Sequence, residues 1–265
     1  MSKGGRWSRD ELMIAMNIYC KLPFGKLHHR NLTIIEVAEK LGRTPSSLAM
    51  KLVNFASLDP DLQARGIKGL EGASKADKEI WREFHEDWES YGYESERKLQ
   101  LLFDSPLSAL EPEPTEVTLN KTRGVQVPSI TESEATVKVR IGQNFFRETI
   151  LANYERRCCI TGNPIPELLV ASHILPWSKC PEHRLNPCNG LCLGRTQDTA
   201  FDRGLITFDD DYQLVISKYL RDFLPEPTLE RNFMDYCGNQ IRLPEKFNPD
   251  MDFLKSHREE IFIGE

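Results

Sequence analysis

The stretch from Leu168 to Gly204 constrains this chain more than any other part of it. It opens with LLVASHILPW (168–177), nearly all apolar, which delivers a single histidine, His173, where a short strand would end. A polar loop containing Pro181 and Pro187 follows. The chain then returns as NGLCLGRTQDTAFDRG (189–204). Asn189-Gly190 is a turn signal, Leu191 to Leu193 a short strand, and TQDTAFD a short helix stopped by Gly204. The expected unit is strand, loop, strand, short helix. Taken alone, His173 also fits a core histidine satisfied by a backbone carbonyl.

On that short helix, Asp198 and Asp202 stand four residues apart and so share a face. Like charges so placed repel by only a few tenths of a kcal/mol, so chance or helix capping also explains the pair. The company lifts the metal reading beside these: a histidine from the first strand, Asn189 opening the second, and two hard oxygen ligands of the kind that suit Mg²⁺ or Mn²⁺. Seven cysteines without one Cys-x-x-Cys pair fit a reducing compartment and argue against a structural zinc site. Cys158 and Cys159 are expected as small hydrophobes beneath the hairpin, and Trp177 as packing that stiffens the loop.

The chain has 265 residues, enough for one large or two modest domains. No apolar run approaches the roughly 20 residues that cross a bilayer, and MSKGGRWSRDEL lacks the apolar segment of a signal peptide. A cytoplasmic protein without membrane contact is the expectation. The net charge of −6 is uneven: residues 1–70 hold 11 Lys/Arg against 6 Asp/Glu, residues 71–137 hold 7 against 15, and residues 138–265 hold 16 against 19. The first segment is the basic one, which makes it a candidate for nucleic-acid contact.

Three parts follow: a helical recognition domain (1–103), a linker (104–137) rich in Pro, Thr, Ser and Glu, and a catalytic domain (138–265). In the first part, RDELMIAMNIYCKL sets Leu12, Ala15, Met16 and Tyr19 on one helical face. TIIEVAEKLG predicts a second helix capped by Thr33 and stopped by Gly42. TPSSLAMKLVNF predicts a third, with Thr44 as cap and Pro45 at its first position. Residues 74–98 predict a helix with Ile80, Phe84, Trp88 and Tyr91 on one aromatic face, read as core. The third part opens with a helix, VKVRIGQNFFRETILANYERRC, whose apolar positions include Phe145, Ile150 and Tyr154, and closes with FLKSHREEIF.

RWSRDEL followed by VAEKLGRTPSSLAMKL resembles Myb-like and related helix-turn-helix modules over about 50 residues. That resemblance implies DNA contact by Arg43, Ser46, Ser47 and Lys51 around the start of the third helix, where backbone N–H groups favour phosphate. A plain three-helix bundle shares the same apolar pattern.

CITG, ASHILPW, RLNPCNGLCL and DTAFDRGLITFD, in this order, resemble the HNH nuclease family with its ββα-metal fold, across residues 140–262. The resemblance implies an α+β chain in which a helix-turn-helix-like domain is linked to a ββα-metal nuclease domain. It implies a metal-dependent endonuclease acting on DNA, of the restriction or phage-defence type. His173 would be the general base, Asn189 would tie the loop, and Asp198 and Asp202 would hold one Mg²⁺ or Mn²⁺ ion. Asp202 has two competing roles, supporting Asp198 from behind or pairing with Arg203 or Arg195. Ser172 stands where many family members carry an acidic or histidine ligand. Arg147, Arg184 and Arg195 are the candidates to grip DNA phosphates.

Two other readings stand beside this one. A non-catalytic DNA-binding protein with a degenerate HNH fold would explain Ser172. A partner or signal acting through the first domain would use the nuclease as its output. Cutting both strands of a duplex would suit a homodimer.

Overall fold

The computed structural model describes residues 5–67, 72–103 and 130–264. Its first helix, α1 (Arg9–Lys21), begins at a capping box. The Ser8 hydroxyl accepts from the Glu11 amide at 3.2 Å, and the Glu11 carboxylate accepts from the Ser8 amide at 2.7 Å. The expected face of Leu12, Ala15, Met16 and Tyr19 is buried, but so is every other residue from Glu11 to Cys20. A helix covered all round is a central one.

Helices α2 (Leu32–Leu41) and α3 (Pro45–Ala56) pack on each other across a turn at Gly42, whose φ of 68° ends α2. Thr44 and Pro45 start α3 as the sequence predicts. The cap of α2 is Asn31 and not Thr33: the Asn31 side chain accepts from the Thr33 and Ile34 amides at 2.9 and 3.3 Å, and Thr33 lies inside the helix. After the short α4 (Pro60–Ala64), the run 74–98 forms two helices where one was expected, α5 (Lys75–Glu86) and α6 (Trp88–Leu102). The break is Asp87, at φ −149° and ψ 80°, whose carboxylate accepts from the Ser90 amide at 2.9 Å. A short acidic side chain competes for backbone N–H groups in this way and favours a cap over a continuing helix. Ile80, Phe84 and Trp88 are buried, as their spacing predicts.

Helix α7 (Ile130–Asn153) starts inside the stretch expected as linker, and residues 104–129 lie outside the described residues. It packs on α1 and α6; Phe145, Phe146, Ile150 and, just past its end, Tyr154 are buried, and the helices before residue 104 share one core with the residues after 130. A second seam joins them. Lys246, fully buried, donates from Nζ to the carbonyls of Tyr19 and, at 2.8 Å, Leu22 at the end of α1. Those carbonyls are the orphaned, electron-rich end of a helix. Burial pushes the Lys246 pKa down to about 8.

Strands β1 (Leu169–His173) and β2 (Gly190–Gly194) form an antiparallel pair in which His173 faces Gly190. Helix α8 (Arg195–Asp202) follows β2 directly and packs on both strands, completing the ββα unit. Gly204, at φ 67°, stops it. A second hairpin, β3 (Ile206–Phe208) with β4 (Leu214–Ile216), was not anticipated. Two short helices, α9 (Lys218–Arg221) and α10 (Pro227–Asn232), then lead to α11 (Met251–Glu260). Helix α11 seats the buried His257 between Thr207 and the Phe201 carbonyl, 2.9 and 3.1 Å away.

Candidate active site

His173 closes β1, and its Nε2 lies 2.9 Å from the Arg184 carbonyl oxygen. A carbonyl only accepts, so Nε2 carries the proton and Nδ1 keeps the lone pair. The imidazole stacks on Phe146, with ring centres 3.9 Å apart and planes 10° apart, and meets the Trp177 ring edge-on at 5.3 Å. Burial drives its pKa down to about 4, against the pull of the Arg184 carbonyl and with the help of the Arg184 charge. The ring is neutral at pH 7. The backbone-carbonyl contact of a core histidine is present, and in this geometry it also leaves Nδ1 as the basic atom.

Asn189, 1% exposed, fastens the loop between the strands. Its side-chain oxygen accepts from the Leu175 amide at 2.7 Å, and Nδ2 donates to the carbonyls of Leu175 and His183 at 3.3 and 3.1 Å. The same loop is anchored by Leu185, buried against the glycine faces of α6 and α7: a Cβ on Gly92 or on Gly142 would come within 3.3 Å and 3.1 Å of its methyls. Arg184 donates from Nε to the Trp177 carbonyl at 2.8 Å and lies over the Trp177 ring. It also walls a cleft of about 190 Å³ with Glu89 and Lys138. Burial pushes the Glu89 carboxyl up, although Arg184 and Lys138 pull it down.

On α8, Asp198 is half-buried and Asp202 exposed. Among the described residues no group of three or more His, Cys, Asp and Glu side chains is placed to hold a metal ion. Mg²⁺ keeps waters and borrows substrate phosphate, so a site for it can be built on as few as two protein carboxylates. Ser172, 3% exposed, has a buried hydroxyl without a hydrogen-bond partner among the described residues and supplies no carboxylate. Arg147 donates to the Leu169 carbonyl at 3.2 Å, and the exposed Arg195 to the Glu167 carbonyl at 3.3 Å.

Among the N-terminal helices the candidates separate. Arg43 is 8% exposed and grips Glu11 through Nε at 3.1 Å and Nη2 at 2.8 Å, with further bonds to the Gly5 and Arg6 carbonyls. Lys51 spends its ammonium on the buried Asp77 carboxylate at 2.8 and 2.9 Å. Neither side chain is presented to a phosphate. Ser46 is exposed, and Ser47 half-buried.

His257 carries a second depressed pKa, about 4, again from burial. Its ordinary value is about 6.5, so between pH 6.5 and 4 the unfolded chain binds a proton that the folded chain refuses, and stability falls as pH falls through that window. The stability gap between wild type and His257→Gln should therefore narrow by roughly 3 kcal/mol from pH 7 to pH 4. Urea unfolding at both pH values measures it, and a constant gap would contradict the depressed pKa.

Comparison with known proteins places residues 158–209 within the HNH endonuclease family model, a span that contains β1, the loop, β2, α8 and β3. No curated protein matches the chain significantly.

Proposed function

We propose that this chain, whose residues 158–209 form an HNH endonuclease segment, hydrolyses DNA phosphodiester bonds with His173 as general base. One observation carries the reading: a neutral imidazole whose Nε2 is committed to the Arg184 carbonyl, on a loop tied by Asn189. Attack on phosphorus requires water to lose a proton as it bonds, and Nδ1 of His173 is the atom left to take it. Asp198 and Asp202 would hold a divalent ion, Mg²⁺ or Mn²⁺, which when bound neutralises charge on the phosphate and the leaving oxygen. Arg195, exposed at the start of α8, is the best placed of the three candidate arginines to meet a DNA phosphate. A role in bacterial restriction or phage defence accords with a nuclease joined to a helix-turn-helix-like part.

A second reading of the helical part has its own support. With Arg43 and Lys51 used internally, and with α6 packed against Leu185 of the loop that holds His173, this part is built more to brace the catalytic loop than to read DNA. A partner or signal acting through it would reach the site by that route.

The metal assignment is tested by titrating Mn²⁺ into wild type and Asp198→Asn and following binding calorimetrically. The expected result is Mn²⁺ affinity at least about tenfold weaker in the variant, in line with the loss of a coordinating or supporting carboxylate. Equal affinity would remove Asp198 from the metal site. Absence of any Mn²⁺ binding by wild type would favour the non-catalytic DNA-binding reading, to which Ser172 also points.

A further inference from the structure

The ring of His173 is held by two kinds of contact, and one of them comes from outside the segment that matches the nuclease family. The first is the hydrogen bond from Nε2 to the Arg184 carbonyl. A single hydrogen bond fixes one atom of the ring and leaves its plane free, because the last torsion of histidine is broad and nearly two-fold. Turning that torsion by 180° would put Cδ2 and Cε1 where Nδ1 and Nε2 stand, and so break the hydrogen bond. The second contact is the face of Phe146 on α7, 3.9 Å from the imidazole and within 10° of parallel. Phe146 is 2% exposed and cannot swing aside without opening the core.

The opposite strand is shaped around this stack. Gly190 faces His173 across the strand pair, and a Cβ there would lie 2.3 Å from Cδ1 of Ile150 and 2.8 Å from Cζ of Phe146. Only a residue without a side chain lets Phe146 reach under the histidine. Trp177 closes the edge at 81° to the imidazole plane.

We propose that Phe146 is a positioning residue for His173: its ring face fixes the imidazole plane, keeping Nε2 on the Arg184 carbonyl and Nδ1 as the proton acceptor. The proposal rests on the reading of His173 as general base. It assigns a catalytic task to α7, which a comparison restricted to the matched segment would treat as packing.

The test compares Phe146→Leu with Phe145→Leu in the full chain. Phe145 is equally buried, one residue away on the same helix, and faces Gly92 of α6, so it controls for the loss of an aromatic ring from the core. Two readouts are taken: the tautomer of His173, from long-range ¹H–¹⁵N spectra of the histidine ring, and single-substrate cleavage kinetics. Wild type and Phe145→Leu should show the Nε2-protonated form alone. Phe146→Leu should show a mixture of ring states, with kcat lowered about 10- to 100-fold and KM changed by less than about twofold. An unchanged tautomer and kcat in folded Phe146→Leu would overturn the proposal, as would an equal loss in Phe145→Leu. Should wild type cleave no DNA, the ring spectra still decide the positioning role, and the failure then belongs to the nuclease reading.

Discussion

Replacing His173 by alanine should lower the rate of the proposed DNA cleavage about 10²- to 10⁴-fold, the usual contribution of a positioned general base. The expectation follows from the division of labour between the two ring nitrogens: Nε2 is spent on the Arg184 carbonyl, and Nδ1 has no other hydrogen bond among the described residues. Alanine removes both functions at once, so a second variant is needed to separate them. Glutamine at 173 can still donate to the Arg184 carbonyl and hold the loop, but it has no basic atom. Cleavage lost in His173→Ala and His173→Gln alike, with DNA binding kept in both, identifies the base. Activity kept in His173→Gln would make the histidine a loop pin only. Because the imidazole is already neutral well below pH 7, the wild-type rate should stay level from pH 8 to 6 and fall only as pH approaches about 4.

Arg43→Ala should destabilise the protein by about 3–5 kcal/mol, the cost of stranding one member of a buried ion pair. The side chains of Arg43 and Glu11 are 5% and 11% exposed. Burial pushes the Glu11 carboxyl up, but the Arg43 guanidinium and the Ser8 amide outweigh it and hold the group below its ordinary value. Deleting the arginine, which also lies over the Trp7 ring, leaves that carboxylate with its capping role alone. The Arg43→Ala/Glu11→Ala double variant should recover part of the loss, because no charge is then left unpaired. Chemical unfolding of the three variants measures this. Unchanged stability together with weaker DNA binding would return Arg43 to the phosphate-contact role that its place beside α3 suggests.

The strand–loop–strand–helix unit was legible in the sequence because its signals are local. The strand end at His173, the short strand that follows Asn189, and Gly204 at a left-handed φ each depend on residues a few positions away. The caps at Thr44 and Pro45 are local in the same sense. What the sequence hid is set by distant partners. Lys51 reads as a recognition-helix cation until Asp77, 26 residues on, is folded beneath it. Glu11 reads as a helix-start acid until Arg43 arrives from the next motif. The single aromatic face expected over residues 74–98 survives the break at Asp87, since Phe84 and Trp88 still meet edge-on at 5.8 Å. Phe146 gave no signal beside Phe145, because spacing alone does not tell which of two adjacent phenylalanines meets the histidine. The second hairpin, β3 with β4, is only three residues long on each side, too short for an alternating pattern to stand out.

The measurement that tests the central claim most directly is cleavage of supercoiled plasmid by the full chain in Mg²⁺, in Mn²⁺ and in chelator, with His173→Ala alongside. The account predicts nicked and linear products that need the metal and disappear in the variant. Plasmid left intact by wild type in both metals, or cut equally by His173→Ala, would contradict it.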